Sequence, residues 1–218
     1  LRQAQRIAEE AFDALLGQIK PGMQEKELAA LLEYEMAKRG SERPSFDTIL
    51  ISGAKTSMPH GMPDTKPVAA GEFILVDFGA VVNGYHSDMT RTFALGSATE
   101  RMRTVYSTVL AAQETGIRML RAGVSCDQPH LAAHQVIRDA GFGDCFGHAL
   151  GHCVGLEIHE SPALSPRAKQ HLEPGMVITV EPGIYLPGEF GVRIEDLLLI
   201  QPDGAEDLTH TPKKLLIL

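Results

Sequence analysis

Asp77, Asp88, His152, Glu181 and Glu195 are the side chains of this chain best suited to chemistry. Each carboxylate interrupts or borders an apolar, strand-like stretch: Asp77 lies in FILVDFGAVV, Asp88 in YHSDMTRTF, Glu181 directly after VITV and Glu195 in VRIEDLLLI. His152 lies in the glycine-rich run GHALGHCVG. Carboxylates are rarely buried without a partner, because removing the charge from water is costly. Four carboxylates and one imidazole make a donor set suited to a pair of divalent metal ions, which would offset that cost.

The elements that must carry these residues follow from the apolar pattern. Residues 2–18 read as a helix with Ile7, Ala8, Ala11, Phe12, Leu15 and Leu16 on one face. Pro21-Gly22 breaks it, and residues 25–38 resume with Leu28, Leu31, Leu32 and Met36 before Gly40. Strands are expected at 47–53, 73–82 and 84–94, the last two joined by a turn at Asn83-Gly84. The order then repeats: helices at 100–121 and 127–140 and strands at 146–157, 176–181 and 192–200. GEFILVDFGAVVNGY aligns with PGMVITVEPGIYLPG, which sets Asp77 on Glu181 and Asp88 near Glu195. The expectation is one α+β domain over 1–218 with two pseudo-symmetric halves, about 1–98 and 99–218, and a curved, mostly antiparallel sheet backed by helices. Each half would bring a hairpin with two carboxylates to a shared site.

Composition narrows the function classes. At 218 residues and 44% hydrophobic the chain can bury a sizeable core. Its net charge of −8 offers no basic stripe for nucleic acid or acidic membranes. No apolar run approaches a membrane span, and no signal peptide is visible. Cys126, Cys145 and Cys153 form no CxxC pair, which fits a reducing, cytoplasmic setting, and Cys153 reads as a small buried thiol rather than a ligand.

The motifs MPHG at 58–61, VDFG at 76–79, SDMTRT at 87–92, GHALGHCVGLEIHE at 147–160, TVEPGIY at 179–185 and VRIEDLLL at 192–199 occur in one order along the chain. With them the chain resembles the catalytic domain of the pita-bread metallopeptidases, which include methionine aminopeptidase, aminopeptidase P and prolidase. The resemblance implies the pseudo-twofold pita-bread fold and two metal ions, most simply Mn²⁺, with Co²⁺, Zn²⁺ or Fe²⁺ as alternatives. Asp77 and Asp88 would chelate one ion, His152 and Glu181 the other, and Asp88 and Glu195 would reach both. His148, in HxxGH followed by GLEIHESP, resembles the Xaa-Pro-cleaving branch, and the substrate implied is a peptide with proline in second position. A homodimer is implied as well.

By the same resemblance Glu181 would move the proton of the attacking water, His159 and His60 would stabilise the tetrahedral intermediate or hold the substrate backbone, and His148 would contact the proline side. Arg193 either binds substrate or neutralises the acidic cluster, and Arg167 reads as a solvated loop residue. His86, His130, His134, His171 and His210 match no motif of the family. Gly79, Gly147, Gly151 and Gly155 read as positions without room for a side chain. Methionine aminopeptidase, a ligand-free binding module and a metal-free creatinase-like hydrolase are the competing readings. Because the chain opens at Leu1, it reads as a fragment or processed product that lacks the N-terminal domain usual among Xaa-Pro members.

Overall fold

A computed structural model describes residues 1–218. Helices α1 (Arg2–Leu16) and α2 (Glu25–Lys38) precede strands β1 (Ile49–Ser52), β2 (Phe73–Phe78), β3 (Val81–Val82), β4 (Tyr85–His86) and β5 (Met89–Ala94). Helices α3 (Glu100–Met119) and α4 (Asp127–Asp139) then precede β6 (Gly151–Cys153), β7 (Glu160–Leu164), β8 (Val177–Val180), β9 (Gly183–Leu186), β10 (Phe190–Arg193), β11 (Asp196–Gln201) and β12 (Gly204–Asp207). The architecture is α+β, with antiparallel ladders β1-β2-β5, β12-β11-β8-β6-β7, β9-β10 and β3-β4. No helix is long and apolar enough to cross a membrane.

The helices set the direction of the first sheet. Ile7, Ala8, Ala11, Phe12 and Leu15 form the buried face of α1, and Leu28, Leu32 and Met36 that of α2. They pack on Ile74, Val76 and Phe78, alternate residues of β2, with Phe12 stacked 5.6 Å from Phe78. A strand points successive side chains to opposite faces, so burying Phe78 against the helices turns Asp77 away from them. In the second core Val105, Val109 and Ala112 of α3 and Ala133 and Ile137 of α4 cover Ile178, Val180, Leu198 and Ile200. That packing holds β8 and β11, the strands that lead into Glu181 and out of Glu195, in place.

The two sheets meet through Glu195. The predicted strand 192–200 is two strands in different ladders, β10 and β11, with Ile194 and Glu195 between them. There the backbone N–H of Glu195 donates to the Thr90 carbonyl at 3.1 Å. Buried Arg91 clamps the junction: its Nη1 donates to the Glu195 carbonyl at 2.6 Å and its Nη2 to Asp196 Oδ1 at 2.7 Å. Although burial opposes it, Arg91 and Lys213 together hold the Asp196 carboxyl below its usual range. Uniform apolar lettering around VRIEDLLLI masks this change of sheet, because each strand is buried on its own terms.

Other boundaries also moved. The expected strand 146–157 shrinks to β6, since the turn at Gly143–Cys145 and the following loop lead into it. The expected strand 73–82 is broken after Phe78, where Gly79 passes so close to Ser87 that a Cβ would lie 1.9 Å from its carbonyl oxygen. Gly151 is confined in the same way, by the Thr179 carbonyl oxygen at 1.9 Å from a Cβ, whereas Gly155 faces only the carboxylate end of the Glu160 side chain, at 2.4 Å. Gly147 is not confined: a Cβ there would meet nothing within 4 Å, so crowding is not its reason. The Asn83-Gly84 turn forms as expected, with φ of 51° and 77° at the two positions that need the left-handed region.

Candidate metal centre and active site

Asp77, Asp88, His152, Glu181 and Glu195 line one cavity of about 240 Å³, together with His60, His148, His159 and Arg193. The letters alone could not guarantee that meeting. Asp77 comes from β2, Asp88 from the residue before β5, His152 from β6, Glu181 from the residue after β8, and Glu195 from the β10–β11 junction. Phe46, Ile49 and Ile158 give the cavity an apolar wall.

The polar atoms are arranged as donors toward a shared centre. Asp88, His152 and Glu195 each offer one atom, all within 4.8 Å of one another. His152 Nε2 lies 3.5 Å from both Asp88 Oδ2 and Glu181 Oε1. Atoms about 2.0–2.2 Å from a common ion are separated from each other by roughly 3–4 Å, so this spacing fits coordination better than direct hydrogen bonding. The His152 Nδ1–H donates to its neighbour's carbonyl, Cys153, at 3.1 Å, which turns the Nε2 lone pair toward the carboxylates. Asp77 Oδ1 is buried without a hydrogen-bond partner. An orphaned carboxylate oxygen beside three further carboxylates is a strong indication of a cation site.

Hydroxyls of flanking strand residues fix the carboxylates. Thr90 Oγ1 donates to Glu195 Oε2 at 2.6 Å, and Thr179 Oγ1 donates to Glu181 Oε1 at 3.2 Å. Arg193 is buried: Nη2 pairs with Asp77 Oδ2 at 2.5 Å, Nε donates to Thr90 Oγ1 at 3.1 Å and Nη1 to the Tyr185 hydroxyl at 2.9 Å. Of its two expected roles, the pairing with Asp77 is the contact that charge neutralisation calls for, and Arg193 also lines the cavity. Tyr185 OH in turn donates to His148 Nε2 at 2.9 Å, while His148 Nδ1–H donates to the Ala149 carbonyl at 2.8 Å. Both His148 nitrogens are therefore engaged, and what it can offer a ligand is the face of its ring. His60 and His159 are exposed at the cavity, with the His159 ring 4.4 Å from that of His152.

Burial and mutual repulsion make this cluster hold protons when no cation is bound. Burial raises Asp88 well above the usual carboxylate range, with Asp77 and Glu181 adding to the effect. Burial raises Glu195 in the same way, with Asp88 next, and it pushes Glu181 up to about 8 against the pull of Arg193. The sign of the resulting linkage is fixed. These groups bind more protons folded than unfolded, where carboxyls titrate near about 4, so their stabilising contribution is complete below that pH. It is lost as pH rises through the folded values, about 8 for Glu181. In chelator, thermal midpoints should fall as pH is raised from about 5 to about 8, and saturating Mn²⁺ should remove that decline. A midpoint that stays level in chelator across this range would contradict the charge repulsion.

Most other sequence expectations about side chains have clear positions. Cys153 is a buried core thiol, pushed up to about 12 by burial. Arg167 is exposed, and His86 and His130 are buried in local packing. Thr90, Thr179 and Tyr185 contribute to the site although residue type alone does not mark them, each lying inside a motif. What reveals them is the register, Asp77 facing Thr90 across β2–β5, and the side-chain direction, neither of which is written in single letters.

Comparison with known proteins gives the same picture over nearly the full length. The model of metallopeptidase family M24 matches residues 1–202. An Xaa-Pro dipeptidase of Pyrococcus furiosus is 44% identical over 216 residues, which is 99% of this chain and 62% of the relative. The solved structure of an Xaa-Pro dipeptidase from Bacillus anthracis superposes with a TM-score of 0.99 at 44% identity, covering 100% of this chain and 61% of that one. An X-Pro aminopeptidase from Thermotoga maritima superposes with a TM-score of 0.98, also at 44% identity, over 100% of this chain and 62% of that one. The chain thus spans about 62% of the length of the curated relatives it matches. Its fold is the pita-bread fold of these enzymes. With the family model covering almost the whole chain, and the cavity furnished as that family name requires, the chain belongs to metallopeptidase family M24.

Proposed function

We propose that this chain is the catalytic part of a dinuclear metallopeptidase that hydrolyses the bond between an N-terminal residue and a following proline. One observation carries the reading: a single cavity is lined by the carboxylates and imidazole of the proposed ligand set, by three further histidines and by an apolar wall. The names of the similar Xaa-Pro dipeptidases and X-Pro aminopeptidase support it. Asp77, Asp88, His152, Glu181 and Glu195 would hold two divalent ions, and their oxygen-rich composition favours Mn²⁺. Such ions supply Lewis acidity to the scissile carbonyl and acidify the attacking water.

The protein's own groups do the rest. Glu181, with one oxygen held by Thr179, takes the proton of the attacking water and passes it to the leaving prolyl nitrogen. His60 and His159, exposed at the cavity, donate to the oxygen that becomes negative or to the substrate backbone. His148 offers its ring face, beside Phe146 and Tyr185, to the proline ring. The helix–helix–strand order, found twice along the chain, supports two pseudo-symmetric halves at about 1–98 and 99–218. Three unpaired cysteines support a reducing, cytoplasmic setting.

Substrate choice tests the proposal against its methionine aminopeptidase competitor. The full-length protein loaded with Mn²⁺ should cleave Ala-Pro-Ala at least about a hundredfold faster, in kcat/KM, than Met-Ala-Ser, the scale on which a built site rejects the wrong substrate. The reverse preference would favour the methionine-removing reading.

A further inference from the structure

A second cavity, of about 300 Å³, adjoins the metal centre and shares Pro59, His60 and His148 with it. None of the proposed metal ligands lines it. A peptide whose scissile bond lies at the metal centre and whose proline packs on His148 must continue past that histidine, and this cavity is where it would go. Gly147 forms part of its wall, and a Cβ there would meet nothing within 4 Å. The missing side chain therefore leaves open space along the path instead of relieving a clash.

Its charge is one-sided. Asp144, on the turn Gly143–Cys145, lines it, and no lysine or arginine does. The nearest cation of the first cavity, Arg193, is buried and committed to Asp77, Thr90 and Tyr185. His148 provides no positive charge either, because burial pushes it down to about 4. A free dipeptide would bring its terminal carboxylate, borne on the proline itself, to the threshold of this cavity. The cavity holds the Asp144 carboxylate, no lysine or arginine, and His60 as the one imidazole donor not already engaged within the protein. In a longer peptide the same position is a neutral amide. Like charges brought together without a counter-ion work against binding, and that penalty discriminates between ligands.

We propose that this second cavity seats the residue after proline, and that Asp144 there selects peptides of three or more residues with a basic or neutral third residue over free Xaa-Pro dipeptides. The proposal rests on the Xaa-Pro reading and adds to it a preferred substrate class.

The test compares kcat/KM for Ala-Pro, Ala-Pro-Lys and Ala-Pro-Glu on the full-length, Mn²⁺-loaded protein and on Asp144→Asn and Asp144→Lys. Asp144 is exposed, so its replacement spares the core. Ala-Pro-Lys should exceed Ala-Pro-Glu by about three- to tenfold, the scale of a solvent-screened charge contact counted once as attraction and once as repulsion. It should exceed Ala-Pro by about tenfold or more. Asp144→Asn should bring the Lys/Glu ratio near one and Asp144→Lys should invert it, whereas a merely structural effect would lower both substrates alike. Ala-Pro cleaved as well as the tripeptides, or a Lys/Glu ratio indifferent to residue 144, would overturn the proposal while leaving the Xaa-Pro activity standing. Cleavage of none of the three would instead overturn the Xaa-Pro reading beneath it, and this inference with it.

Discussion

Glu181→Gln should lower kcat on an Xaa-Pro-Yaa peptide by about 10²- to 10⁴-fold, the range expected when a positioned proton-transfer group is lost. Glutamine keeps the volume and one carbonyl oxygen, and that oxygen can still accept from Thr179, which now reaches Glu181 Oε1 at 3.2 Å. What it cannot do is take a proton. KM should therefore change much less than kcat. The amide is a weaker ligand than the carboxylate, so Mn²⁺ affinity should fall, and the comparison is made at saturating Mn²⁺, where the four remaining ligands keep the ions bound. Elemental analysis beside steady-state kinetics separates the two effects. A variant with full metal content and undiminished kcat would remove Glu181 from proton transfer. One that loses its metal even at saturating Mn²⁺ would leave Glu181 with its ligand role and no separate part in proton transfer.

The second large effect carries opposite signs for stability and for activity. Asp88 is buried beside Asp77, Glu181 and Glu195, and its carboxyl is raised well above the usual range by burial first and by Asp77 and Glu181 next. Without a cation this is a destabilising arrangement, maintained because a cation relieves it. Asp88→Asn should thus raise the stability of the metal-free protein by about 1–2 kcal/mol at pH 8, the worth of a relieved buried repulsion. The same change should abolish most of the stabilisation given by Mn²⁺ and lower activity by about a thousandfold, since an amide is a poor ligand beside a carboxylate. Urea denaturation with chelator and with Mn²⁺ reads both arms. Equal Mn²⁺ stabilisation of the variant and the parent would show that Asp88 holds no ion.

These expectations draw on residues of which some were legible in the letters and some were not. Asp77 was legible because a charge stood inside FILVDFG, where β-strand alternation gives it a face of its own opposite Phe78. The turn at Asn83-Gly84 was legible for a local reason, since two successive left-handed residues are cheap for asparagine and glycine. Helices α1, α2, α3 and α4 were legible from apolar faces and from stops such as Gly40 and Gly141. The break at Ile194 and Glu195 was not legible, because what ends β10 is a long-range bridge to Thr90, far along the chain. The occupation of Arg193 by Asp77, Thr90 and Tyr185 was hidden for the same reason. Gly147 shows the limit of analogy between neighbouring glycines: Gly151, in the same run, abuts Thr179, while Gly147 faces open space. Local chemistry is written in residue type and spacing, whereas contacts between sheets depend on a register that only the folded chain supplies.

If Asp77, Asp88, His152, Glu181 and Glu195 act together as a metal centre for Xaa-Pro hydrolysis, activity must follow metal content. The initial rate of Ala-Pro-Ala hydrolysis by the full-length protein, followed through removal of metal by a chelator, dialysis and return of Mn²⁺, tests it most directly. The rate should fall by at least about a hundredfold in chelator and return in step with Mn²⁺, levelling at two ions per chain. Undiminished hydrolysis by protein shown to be metal-free, or no hydrolysis with two ions bound, would contradict it.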